Sequence, residues 1–258
     1  MDSGLILQII LAFLTGIVAG YLSGLLGIGS GMIMVPAAYF FLGMDFIDAK
    51  AMSLFVIMFI SPLGMLRHHS HGNIHVKTGL YLGIPGLCGS FLGVYIAGVI
   101  DITYLKIMFA LVQFFAAYRM IYGSADNKGS SNINQAFMSN KKILPGVGFV
   151  GGLAAGLLGI GGGVIMVPSM VFLAYPMHAA VGNSLMVISI NSLAGTAAHA
   201  FRGELDIRFA IPMMLGAIIT IRKGADMSVT IDREKLRKYF GYFMIIAGCY
   251  LLYRTYIG

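Results

Sequence analysis

Charge is scarce in this chain. Its 258 residues carry 17 Lys+Arg and 10 Asp+Glu, so charged residues make up 10%, against about 25% in soluble globular proteins. Ser3 to Met44 and Ile143 to Phe201 are runs of 42 and 59 residues without a single Asp, Glu, Lys or Arg. A bilayer crossing needs about 20 apolar residues. Hydrophobic residues are 58% of the chain and the mean hydropathy is +0.87, more apolar surface than a soluble fold of this size can hide, so the chain reads as a polytopic integral membrane protein. Tryptophan is absent, and cysteine occurs only as Cys88 and Cys249. Both lie in apolar runs, which excludes a disulfide scaffold and a Cys-based zinc site. The net charge of +7 is spread over short loops, as orientation in a membrane requires, and is no nucleic-acid footprint. The N-terminus lacks the basic n-region of a cleaved signal peptide, so the first segment is expected to stay in the mature protein.

Cutting at charges gives apolar runs at 5–42, 51–66, 78–100 and 104–122, then at 143–174, 183–201, 207–221 and 239–257. Between them, Gly123 to Lys142 is polar, rich in Gly, Ser and Asn, and reads as an aqueous linker. The expected organisation is a first membrane repeat at 1–122, a linker at 123–142 and a second repeat at 143–258. The repeat is visible in the sequence: Gly24 to Pro36 (GLLGIGSGMIMVP) and Gly156 to Pro168 (GLLGIGGGVIMVP) are identical at 11 of 13 positions. Further on, Ser53-Leu54 matches Ser184-Leu185, and His68-x-x-x-Gly72 matches His199-x-x-x-Gly203. Duplicated membrane domains commonly place a substrate site near the midplane between repeats.

Charge counting favours inversion. With four crossings per half, Lys+Arg divide 9 against 8, which orients nothing. If the first run of each half folds back at its glycine cluster, the division becomes 12 to 5, with Lys50, Lys106, Arg202, Arg208 and Arg254 on the poorer side. The expected fold is therefore an all-α membrane protein of two inverted repeats, with broken or re-entrant helices at the glycine motifs and both termini outside.

The glycine clusters are also the leading candidates for a site: Gly27, Gly29, Ser30 and Gly31 in one half, Gly159, Gly161, Gly162 and Gly163 in the other. Glycine allows positive φ and close approach. A helix broken at membrane depth leaves N–H groups that can hold an oxyanion, although glycines in apolar runs also serve helix packing. Pro36 and Pro168 follow both clusters as candidate hinges. His68 and His199, equivalent in the repeat, can carry a proton or donate to an anion, or sit in surface loops. Ser53, Asn183, Ser184 and Asn191 are polar residues in apolar runs that line a path or bond between helices. No carboxylate lies within a run, which weakens a carboxylate-relay pump and leaves an anionic substrate as the better fit. No catalytic set and no cofactor motif is visible, and a homo-oligomer is compatible with the sequence.

The duplicated Leu26–Pro36 and Leu158–Pro168 stretches, with Ser53, Asn183-Ser184, His68–Ile74 and His199–Asp206, resemble the TauE/SafE family of sulfite-exporter-type permeases over essentially the whole chain. The resemblance implies a multi-pass protein of the bacterial inner membrane that exports sulfite or organosulfonates. Ser30 stands where the family pattern has glycine, and Thr220–Asp226 (TIRKGAD) interrupts a helix that is usually smoother. The family is commonly described as a duplicated four-helix unit, which the charge count does not favour. Two alternatives stand beside an anion transporter: a divalent-metal transporter built on the histidines from His68 to His75, and a non-transporting membrane enzyme or assembly factor.

Overall fold

The computed structural model describes residues 3–26, 29–70, 72–122, 133–227 and 233–257. Their regular elements are all α-helices: α1 (Ser3–Leu26), α2 (Gly31–Phe41), α3 (Phe46–Ser70), α4 (Val76–Ala97), α5 (Ile102–Tyr122), α6 (Ile133–Asn140), α7 (Leu144–Leu158), α8 (Gly163–Phe172), α9 (Met177–Phe201), α10 (Ile207–Met227) and α11 (Arg233–Ile257). At ~1.5 Å per residue, α1 is about 36 Å long and spans a hydrocarbon core, whereas α2 and α8 reach only about half-way. Among the described residues six helices are long and apolar enough to cross a membrane (α1, α3, α4, α5, α9 and α11), or seven if the pair α6–α7, bent by 90°, counts as one span. α10 has the length but carries Arg222, Lys223 and Asp226 near its end, and the helix runs on through TIRKGAD without a break. Within the stretch read as a linker, residues 133–140 form α6, which buries Ala136 and Phe137. Residues 123–132 lie outside the described set.

Both long apolar runs break at their glycines, as expected. α7 ends where Gly159 turns left-handed, its N–H closing on Ala155 O, and Gly161 and Gly162 continue at φ 70° and 84°. Gly29 does the same at φ 82°. L-residues with a Cβ avoid that region, which is why these positions hold glycine. Pro36 lies inside α2 and cannot donate to Met32 O; Gln113 Nε2, from α5, donates to that carbonyl at 3.4 Å instead.

Helices pair across the two halves. α1 packs along α10 and α4 along α7; α3 meets α9, and α5 meets α11. Small residues set the first two seams. A Cβ on Gly148, Gly152 or Gly156 of α7 would overlap a backbone carbonyl of α4, and one on Gly16 or Gly20 of α1 would overlap a carbonyl of α10. Such close approach replaces the hydrophobic driving force that lipid does not supply. The outer faces are apolar: Leu7, Ile10, Leu14 and Val18 form an exposed stripe on α1, while polar side chains such as Lys50, Ser53, Gln113 and Asn191 are buried.

Candidate functional site

The two glycine breaks touch. A Cβ on Gly29 would sit 3.2 Å from Ile160 O, and one on Gly31 would lie 2.5 Å from Gly159 O and 3.1 Å from Ser53 Oγ. α3 crosses this junction and closes the C-terminus of α7, whose last carbonyls have no intrahelical partner. Ser53 Oγ donates to Gly159 O at 3.0 Å, and Lys50 Nζ donates to Leu157 O at 3.0 Å. A cation at a helix C-terminus is also favoured by the helix dipole. Lys50 is fully buried, although its position at the edge of an apolar run reads as an interfacial charge.

Several polar groups at the start of α2 and along α9 are buried without a hydrogen-bond partner: Ser30 Oγ, both side-chain atoms of Asn191, Thr196 Oγ1 and His199 Nε2. Ser30 is the N-cap of α2 yet makes no capping bond. Asn191 belongs to α9 and faces α4, where Ser90 Oγ donates to its backbone oxygen at 2.7 Å. Gly195, one turn on, opens a gap that a Cβ would close against Leu54 and Ser90 Oγ. His199 follows one further turn along the same face. Its Nδ1 lies 2.6 Å from Glu204 Oε2, and Arg202 Nε donates to Glu204 Oε1 at 2.6 Å. With Nδ1–H held by that carboxylate, Nε2 accepts in the neutral ring and donates only in the charged one.

Other residues singled out from sequence are engaged elsewhere. Asn183 joins α9 to the start of α4: its Oδ1 accepts from His75 N–H at 3.2 Å, and its Nδ2 donates to Ala179 O at 2.8 Å. Ser184, the repeat partner of Ser53, donates to Val181 O within its own helix. Gly162 caps the N-terminus of α8, Gly163 begins it, and Pro168 lies inside it. His68 sits in the last turn of α3, whereas His75 caps the next helix, its Nδ1 accepting from Thr78 N–H at the start of α4. Among the described residues no group of three or more His, Cys, Asp or Glu side chains could hold a metal ion. Gly27 and His71 lie outside the described residues.

Outside the spans, burial and then the nearby Lys77 push the His75 imidazole below its ordinary range, against the opposing effect of the hydrogen bond it donates to Asn134. Asp206 is held below the usual carboxylate range, first by its hydrogen bond from the Arg208 side chain. At the far end of α3 and α10, a cleft of about 310 Å³ is lined by Leu63, Leu66, Arg67, Ser70, Arg222 and Asp226, with Arg67 and Asp226 paired at 2.8 Å.

The sequence that builds these paired breaks matches a known family profile described as sulfite exporter TauE/SafE over residues 12–251. The chain belongs to the sulfite exporter TauE/SafE family. Among similar proteins, the probable membrane transporter protein YunE of Bacillus subtilis is 25% identical, with 96% of this chain and 98% of that protein aligned. A probable membrane transporter protein of Methanocaldococcus jannaschii is 28% identical over 94% of each, and one of Xylella fastidiosa is 24% identical over 94% of each. The protein is thus a multi-pass member of a membrane transporter family and not of an enzyme family.

Sequence reading missed Lys50, Ser90, Thr196 and Glu204. A lysine flanking an apolar run gives no sign that it turns inward, and Glu204 in a loop gives no sign that it reaches a buried histidine.

Proposed function

We propose that this TauE/SafE protein is a secondary transporter that carries small sulfur-containing anions, sulfite or organosulfonates, by alternating access. The observation that carries the reading is the junction of the two glycine breaks, where Ser30 Oγ is buried with no partner and where Ile188 brings in α9, whose Asn191 amide and His199 Nε2 are likewise unpaired. Burying such groups unsatisfied is costly, and a polar ligand would satisfy them. Ser30, Ser53 and Asn191 would line the site, with N–H groups at the breaks around Gly29, Gly31, Gly159, Gly161, Gly162 and Gly163. His199, linked to water through Glu204, would be its proton-sensitive member.

The counterparts α3 and α9 pack antiparallel, with Gly64 against Leu185 and Leu54 against Gly195, and α1 and α4 each meet the counterpart of the other, α10 and α7, which supports two repeats in inverted orientation. The five basic residues counted to one side also gather at one end. Lys106 Nζ donates to Tyr39 Oη at 3.0 Å, and the Arg254 guanidinium lies 5.5 Å from that ring centre. Asp48, near Lys50, is within electrostatic reach of Glu204 and Asp206, and Arg208 pairs with Asp206. At that end the Arg202–Glu204–His199 network closes over the site, while the cleft at Arg67 and Arg222 opens from the other. One half moving against the other, with α2 and α8 bending at Pro36 and Pro168, would exchange the two closures.

The test is efflux from proteoliposomes loaded with labelled sulfite, an organosulfonate or zinc. Sulfite or sulfonate efflux that falls in His199→Ala but not in His69→Ala is expected. Zinc efflux with sulfur anions retained would overturn the assignment in favour of the metal alternative.

A further inference from the structure

Lys50 is the one fully buried charged side chain of the described residues, and a helix cap accounts for only part of it. An ammonium has three donors. Leu157 O takes one, and the nearest aromatic ring, Phe46, has its centre 5.9 Å away. Among the described residues no carboxylate lies within ion-pair distance of Nζ. Glu204 is close enough to be felt electrostatically, as are Arg202 and His199, but its two oxygens are already bonded to Arg202 and His199. A buried charge without a counter-charge is expensive, and in a membrane-spanning helix it marks a ligand or ion path.

The groups around Lys50 say what would neutralise it. Gly159, against whose position Lys50 Cβ packs, touches Gly31 and accepts from Ser53. Ser30, next in the chain to Gly31, has a fully buried hydroxyl with no partner. On the opposite side, Gly156, next to Leu157, backs onto Ser90, and Ser90 bonds Asn191, whose side-chain amide is buried and unpaired. One fixed positive charge and a set of neutral donors therefore share one junction, with no second unpaired cation beside them. Position 181, which corresponds to Lys50 in the second half, is valine, so the charge is not duplicated.

We infer that Lys50 is the counter-charge of the carried anion, and that its single charge selects monoanions, bisulfite or an R–SO3⁻ sulfonate, over the sulfate dianion. This rests on the anion-transport reading above and deepens it. Sulfate, with a fourth oxygen where a sulfonate carries its organic group, brings one more negative charge that nothing in the site offsets, and in a low-dielectric interior that surplus costs more than its extra hydrogen bonds return.

The test uses the purified full chain in detergent and two probes, methanesulfonate and sulfate, read by ligand-induced thermal shift. Lys50→Gln removes the charge and leaves an amide donor, one bond shorter than the ammonium, on the side of Leu157 O, and the variant's melting temperature without ligand reports whether the cap is kept. Wild-type protein is expected to bind methanesulfonate more tightly than sulfate, and K50Q to bind methanesulfonate weaker by about tenfold or more. Unchanged methanesulfonate affinity in K50Q makes Lys50 a helix cap and overturns the assignment while leaving anion transport intact. Sulfate binding as tightly as methanesulfonate in the wild type, a measurement that needs no variant to fold, overturns the monoanion selection. A wild type that binds neither these probes nor sulfite removes the anion-transport reading itself, and this inference with it.

Discussion

Alanine at Gly161 and alanine at Gly43 impose the same backbone penalty in two different places. Gly161 has φ 70° and Gly43 has φ 65°, so in each case a Cβ is forced into the left-handed region at about 1–2 kcal/mol. Gly43 lies in the exposed turn between α2 and α3, with nothing within 4 Å of the added carbon. At Gly161 the carbon would meet Ile188 Cγ2 at 3.0 Å and Ile57 Cγ2 at 3.3 Å, branch methyls of fully buried side chains that are stiff at χ1, so these neighbours must give by a few tenths of an ångström. Gly161→Ala should therefore lose somewhat more thermal stability than Gly43→Ala, and both should reach the membrane. Only Gly161→Ala distorts the junction of the breaks, and if the penalty falls on the binding-competent state, affinity for sulfite drops about five- to thirty-fold. Detergent-solubilised yield, melting temperature and sulfite-induced thermal shift, measured on both variants and the wild type, decide between the roles. Normal sulfite affinity in Gly161→Ala would make the breaks packing devices. An equal loss in Gly43→Ala would show that general destabilisation, not the local geometry, weakens binding.

Both termini are expected outside the cytoplasm, from the 12-to-5 division of basic residues; a C-terminal reporter that fluoresces only in the cytoplasm should stay dark, and a bright signal removes the inverted arrangement. His75 gives a pH dependence of known sign. Its folded pKa lies below the unfolded value of about 6.5, so its contribution to stability is complete above that value and is lost as pH falls through the folded one. His75→Asn keeps an N-cap acceptor that does not titrate there. Its melting temperature should fall less steeply than the wild type's on acidification, and parallel slopes would show that His75 carries no linkage.

The sequence by itself determined the membrane class, the duplicated motif and the places where the long apolar runs break. These are properties of local chemistry: apolar length sets a span, and a glycine cluster permits the left-handed turns seen at Gly29 and Gly159. It also raised Asn191 as a polar residue in an apolar run, Ser30 as a member of the glycine cluster and His199 through its repeat match with His68. It did not separate Ser53 from Ser184. The two are equivalent by repeat, yet one bonds across to Gly159 and the other within its own helix, a difference that arises only from what each helix packs against. The tertiary structure alone decided that the two breaks touch, that Glu204 folds back onto His199, and that Lys50 turns inward onto the end of α7. A lysine at the edge of an apolar run reaches headgroups or protein interior equally well by length. Unpaired carbonyls at the end of α7, a helix about a hundred residues away in the chain, tip the choice inward, and no local pattern of residues records that neighbour.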